Sequence, residues 1–158
     1  MPKEETADLL NYLAPLPSAV RDKVLWLRGF VWDEYPQCNE LIYDNYNAVA
    51  IGWSPTEKLS HVFCSVAVYR AGYNIHFGFY WGAEVPDPKK MLIGKGNQYR
   101  YIQVKDMVDF PIDYIRQLVM DAYILSLNKI KDQKLVVEGK TIVKSVSANK
   151  RAKKKGDQ

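Results

Sequence analysis

Two runs, residues 62–70 and 73–81, alternate at a period of two on either side of Ala71-Gly72, and they constrain this chain more than any other feature. A two- or four-residue turn there gives an antiparallel pair in which Val68 meets Ile75 and Ala67 meets His76; a three-residue turn breaks that parity. With the even turn, Val62, Cys64, Val66, Val68, Ile75, Phe77, Phe79 and Trp81 share an apolar face that has to be covered. The reverse face carries Ser65, Ala67, Tyr69, Asn74, His76, Gly78 and Tyr80, and its small residues leave room for a ligand beside His76.

The cover is also legible. Val20, Val24, Leu27 and Val31 recur at helical spacing after Ser18, which is placed to cap a helix that ends before Pro36. Pro111 opens a second amphipathic helix whose apolar face is Ile115, Leu118, Val119, Ala122 and Leu125. A shorter helix, capped by Thr6, runs through Leu13 and stops at Ala14-Pro15-Leu16-Pro17. Further β-rich stretches fall at 40–44, 47–53 and 98–105. The fold class expected is α+β: a curved antiparallel sheet of about five strands with helices packed on one face. With 158 residues, one domain over 1–133 is expected, followed by a small hairpin extension over 134–148 and a disordered basic tail over 149–158.

No apolar run approaches the roughly 18 residues that span a bilayer, and the acidic start MPKEETADLL lacks a signal-peptide pattern, so a cytoplasmic protein without membrane contact is expected. The formal net charge of +4 belongs to the segment beyond Asn128, while the body before it is mildly acidic and has no basic stripe for nucleic acid. Lys150, Arg151, Lys153, Lys154 and Lys155 read as a solubilising tail, with nonspecific contact to nucleic-acid phosphates as the other reading. No aromatic residue interleaves this cluster, which removes base stacking.

Chemistry-bearing patterns are few. Cys38 and Cys64 are expected as buried thiols, and His61 and Cys64, three apart on a strand, point to opposite faces and make no zinc pair. Gly94-Lys95-Gly96-Asn97 leads into a strand rather than a helix, so the glycines are expected to serve a turn with positive φ. No nucleophile elbow is present. Glu4, Glu5, Asp8, Asp33, Glu34, Glu40 and Asp44 gather early in the chain, mostly on solvated helix faces.

Three stretches carry a family resemblance over residues 10–127. They are Leu16-Pro17-Ser18-Ala19-Val20-Arg21 leading to Glu34-Tyr35-Pro36; Glu40-Leu41-Ile42-Tyr43-Asp44-Asn45-Tyr46-Asn47-Ala48 with Ile51-Gly52; and Gly82-Ala83, Pro86-Asp87-Pro88 and the run from Leu92 to Ile102. Together they resemble the YdhG-like family, a group of small domains of unknown function with frataxin-like relatives. The resemblance implies the same α+β fold and names no reaction. Its frataxin-like members imply iron, held by the acidic edge, as an alternative cofactor and an iron-delivery role.

The expected function is a noncatalytic binding module for a small polar or anionic ligand on the concave sheet face, lined by Tyr43, Asp44, Asn45, His76, Tyr80 and Arg100. Tyrosines and asparagine offer stacking and hydrogen bonds, and Arg100 offers a fork for a carboxylate or pairs with Asp44. The rival is a small enzyme in which His76 is a general base oriented by Tyr80 or Asp44.

Overall fold

The alternating segments pair in the even register. Tyr69 N–H bonds Asn74 O at 2.9 Å across a four-residue turn, and Tyr73, rather than Gly72, takes the positive φ of 58°. Val68 meets Ile75 and Ala67 meets His76. The computed structural model describes residues 7–151. In chain order these form α1 (Ala7–Leu13), α2 (Ser18–Glu34), β1 (Asn39–Asp44), β2 (Ala48–Ser54), β3 (Cys64–Tyr69), β4 (Ile75–Phe79), β5 (Arg100–Val104), α3 (Ile112–Lys129) and β6 (Thr141–Val146), with single 3-10 turns between some of them.

The fold is α+β, with an open, curved, six-stranded sheet in the order β5-β4-β3-β2-β1-β6 and the helices on one face. The first five strands are antiparallel, as expected. The sixth is not part of a hairpin. Residues 141–146 run parallel to β1, Leu41 beside Ile142, with a bulge after Ile42 that leaves Lys144 out of register. Two features drive this placement. Without β6, β1 would be a sheet edge with unpaired backbone groups; and Asn39 sends its side-chain amide to Val137 O at 3.0 Å while accepting from Lys140 N, which steers the chain onto β1.

The helical stripes bury as their spacing predicts. Val24, Leu27 and Val31 from α2 and Ile115, Leu118, Val119 and Ala122 from α3 close over Ile42, Val49, Ile51, Trp53, Cys64, Val66, Val68, Ile75, Phe77, Phe79, Ile102 and Val104. Ser18 is the first residue of α2 and not its cap; Pro17 occupies that position without a side-chain bond, and Arg21 ties the entry by donating to Leu16 O at 2.7 Å and Ala14 O at 3.0 Å. The Thr6 cap lies outside the described residues. Two apolar-face assignments shift because β3 starts at Cys64 and β4 ends at Phe79. Val62 packs 3.1 Å from where a Gly52 Cβ would stand, on the helix-free side, and Trp81 is half-buried with its indole N–H on Ser60 O at 2.8 Å.

Candidate functional site

Strand register decides which of the expected site residues share a surface. Tyr43, Ala50, Ala67, His76 and Gln103 lie on one cross-strand row of the helix-free face, since each pairs with the next. The neighbouring row runs Leu41, Gly52, Ser65, Gly78 and Tyr101. Alanines, glycines and a serine therefore floor the face between Tyr43 on one side and His76 with Tyr101 on the other.

His76 is held by rings. It stacks on Tyr101 at 3.8 Å between centroids and 7° between planes, and Tyr69 leans on it at 4.8 Å. Burial pushes its pKa down, so the imidazole is neutral at pH 7. Its Nδ1 is buried without a hydrogen-bond partner, and the hydroxyl of Tyr43 is in the same state. The Tyr43 hydroxyl is pushed up first by burial and then by the nearby Tyr80. Tyr99 lies over Gly78, where an added Cβ would clash with its hydroxyl, so it fills one end of the face. Tyr69, Tyr99 and Tyr101 belong to this surface although sequence reasoning left them out of the site. The alternation of Tyr99 and Tyr101 with Arg100 and Ile102 was the available signal.

Asp44 and Arg100 do not join Tyr43 and His76. Asp44 pairs with Val49, which places it on the helix side of the sheet, buried, where its carboxylate meets Arg70 and, at 2.9 Å, the ammonium of Lys150. Arg100 pairs with Phe79 and is likewise on the other side; its guanidinium donates to Tyr99 O and Gly96 O at 2.8 Å and to Lys95 O at 3.4 Å. It clamps the loop whose glycines, Gly94 and Gly96, take the expected positive φ of 141° and 88°. Asn45 is a turn residue: its amide oxygen accepts from Ser145 Oγ at 2.6 Å, and its carbonyl accepts from Arg70 Nε at 3.1 Å. Tyr80 lies past the end of β4 against Trp81 at 5.2 Å.

The geometry leaves a general base without its machinery. No hydrogen bond joins His76 to Tyr80, and Asp44 is on the opposite face with both oxygens engaged. The acidic residues are dispersed as well. Glu40 is buried against Arg28, Glu34 pairs with Arg116 at 2.7 Å, Asp44 is paired as above, and Glu4 and Glu5 lie outside the described residues. Among the described residues, no group of three or more His, Cys, Asp or Glu side chains is placed to hold a metal ion, and no helix is long and apolar enough to cross a membrane. Cys38 and Cys64 are both buried thiols outside any disulfide, with the Cys64 thiol pushed well up, chiefly by burial.

Both histidines carry folded-state pKa values below the ordinary 6.5, in each case chiefly through burial. Below pH 6.5 the unfolded chain binds protons that the native one refuses, so stability is full above that pH and falls as the solution is acidified through it. Urea midpoints at pH 7.5 and 5.5 should show this loss, and the double variant His61→Gln/His76→Gln should flatten the slope. A midpoint that rises on acidification would contradict the neutral assignment of both rings.

No family model, no curated protein and no solved structure matches the chain.

Proposed function

We propose that this protein is a noncatalytic, cytoplasmic binding module that takes a small uncharged polar ligand against the helix-free face of its sheet. One observation carries the reading: Tyr43 Oη and His76 Nδ1 are buried polar atoms without partners, on the same cross-strand row, with only Ala50 and Ala67 between them. Leaving such groups unpaired costs about 1–3 kcal/mol each, a cost that a hydrogen-bonding molecule would remove by displacing the side chains that close both atoms off from the surface. Rings of Tyr69, Tyr80 and Tyr101 supply flat apolar walls for its body. The ligand is neutral in this reading because Arg100, the cation expected to hold an anion here, is spent on backbone carbonyls across the sheet. The likeness to the YdhG-like family is part of this proposal and adds no reaction to it.

The test is a thermal-shift screen with monosaccharides, nucleosides and small amides. At 100 times its Kd a ligand stabilises by about 2.7 kcal/mol, which for a chain of this size is a rise of roughly 5–10 °C. Tyr43→Phe should abolish that rise while raising the stability of the free protein by about 1 kcal/mol, because the variant removes a buried hydroxyl that bonds nothing. If Tyr43→Phe is as destabilised as a well-bonded tyrosine would be, the hydroxyl has a partner and the reading fails. It also fails if the shift caused by a hit survives both Tyr43→Phe and His76→Phe.

A further inference from the structure

A second concavity lies away from the sheet face, where the 3-10 turn Leu59–His61 meets the end of α3 and the segment after it. It is an open basin of about 520 Å³ lined by Lys58, His61, Lys129, Lys131, Asp132 and Leu135. The six side chains do different things. Lys129 is fixed in the wall, its ammonium 3.0 Å from Glu84 and 4.1 Å above the Trp81 ring. Asp132 caps its own turn by accepting from Lys134 N at 3.0 Å. Among the described residues, Lys58 and Lys131 of the lining form no ion pair with a carboxylate.

His61 separates this basin from an ordinary lysine-rich surface. Its residue exposure is only 9%, so it is a built part of the floor. Its Nδ1 lies 2.8 Å from Thr56 Oγ1, which already accepts the Lys58 backbone N–H at 3.1 Å. Thr56 Oγ1 has one proton to give. Its other neighbour, Ser54 Oγ, is 3.4 Å away, already accepts from Thr56 N and itself donates to Lys58 O at 3.3 Å. The imidazole is kept neutral by burial and then by Lys58, and in the tautomer that takes the threonine proton across the shorter contact it accepts at Nδ1. The ring proton then sits on Nε2, and among the described residues the imidazole's hydrogen-bond contact is the one at Nδ1. The backbone of His61 is pinned too, its carbonyl accepting from buried Ser126 Oγ of α3. The imidazole is thus oriented from both sides before any ligand arrives.

We propose that this basin binds a phosphate monoester, with His61 Nε2–H and the ammonium groups of Lys58 and Lys131 donating to the phosphate oxygens. Three donors match the three terminal oxygens of a monoester. The cavity exceeds what an inorganic ion occupies, leaving Leu135 to meet the organic part. This site is separate from the helix-free face, and its success or failure leaves the reading of Tyr43 and His76 untouched.

The experiment is a titration of the intact protein at constant ionic strength with inorganic phosphate, glucose 6-phosphate and acetate, followed by the His61 ring ¹⁵N resonances. A saturable shift at Nε2, tighter for the sugar phosphate than for inorganic phosphate and at least tenfold weaker for acetate, is expected. Inorganic phosphate binding as tightly as the ester would make the free ion the ligand and overturn the monoester assignment. Lys58→Gln/Lys131→Gln should weaken the sugar phosphate at least tenfold without changing the fold, since both side chains are on the surface. A linear response to every anion, a titration unchanged in the double variant, or an Nδ1-protonated tautomer would overturn the proposal.

Discussion

Glu40→Ala is expected to lower the unfolding free energy by about 3–5 kcal/mol, the cost of stranding a buried charge. Glu40 is 0% exposed and Arg28 is 2% exposed. The carboxylate accepts Arg28 Nε at 2.7 Å and Nη2 at 2.8 Å, a two-pronged pair, and also the Trp32 indole N–H at 2.9 Å and the Thr141 hydroxyl at 3.1 Å. Removing it leaves a guanidinium in the core without an anion and orphans two neutral donors besides. The pair itself contributes less than its loss costs, because burying two ions consumes most of their attraction. Arg28→Met/Glu40→Leu should therefore recover most of the deficit, falling short by the unpaired Trp32 and Thr141 groups. Urea unfolding of the three variants measures both numbers. A Glu40→Ala loss under about 1 kcal/mol would mean that water reaches the pair.

The fate of Glu40 shows where sequence reading succeeds and where it stops. Periodicity placed the helices over Val24, Leu27 and Val31 and over Ile115, Leu118 and Val119, and placed all five antiparallel strands, because apolar burial follows a local repeat of 3.6 or 2. It also aligned His76 with Ala67. Charge partners follow no such repeat. Glu40 and Asp44 read as members of an acidic edge, yet they alternate with Leu41 and Tyr43 on the strand, and their register puts them under the helices, where only a cation from a distant segment, Arg28 or Arg70, makes burial tolerable. The same alternation sends Arg100 to the opposite face from Tyr101. Parity applied to β1 and β5 as strictly as to the hairpin would have separated Asp44 and Arg100 from Tyr43 and His76. The identity of their partners would still have needed the fold.

Ending the chain at residue 139 should lower stability by at least about 3 kcal/mol, or roughly 6–12 °C in Tm, and should make the protein self-associate. By composition only residues 149–158, which lack any large apolar side chain, read as dispensable, and residues 134–148 read as a small hairpin extension. In the structure that extension is built into the sheet. β6 covers Leu41, which is fully buried, and continues along the turn that carries Asp44, Asn45, Tyr46 and Asn47. Ser147 N bonds Asp44 O and Arg151 N bonds Tyr46 O, both at 2.8 Å; Lys150 reaches Asp44 through its ammonium; and Arg151 reaches the Asn47 side chain at 3.3 Å. Several net bonds of about 1 kcal/mol each, together with the apolar cover, set the expected loss. The exposed edge of β1 would then be free to pair with another chain. Lys150 and Arg151 are thus docked rather than part of a disordered tail, while Lys153, Lys154 and Lys155 lie outside the described residues. A shorter deletion, of residues 152–158, should leave the midpoint unchanged, because Ala152-Lys153-Lys154-Lys155-Gly156-Asp157-Gln158 carries no large apolar side chain to bury. Equal midpoints for the two deletions in urea, with both proteins monomeric by size-exclusion chromatography, would show that β6 contributes nothing to the stability of the sheet.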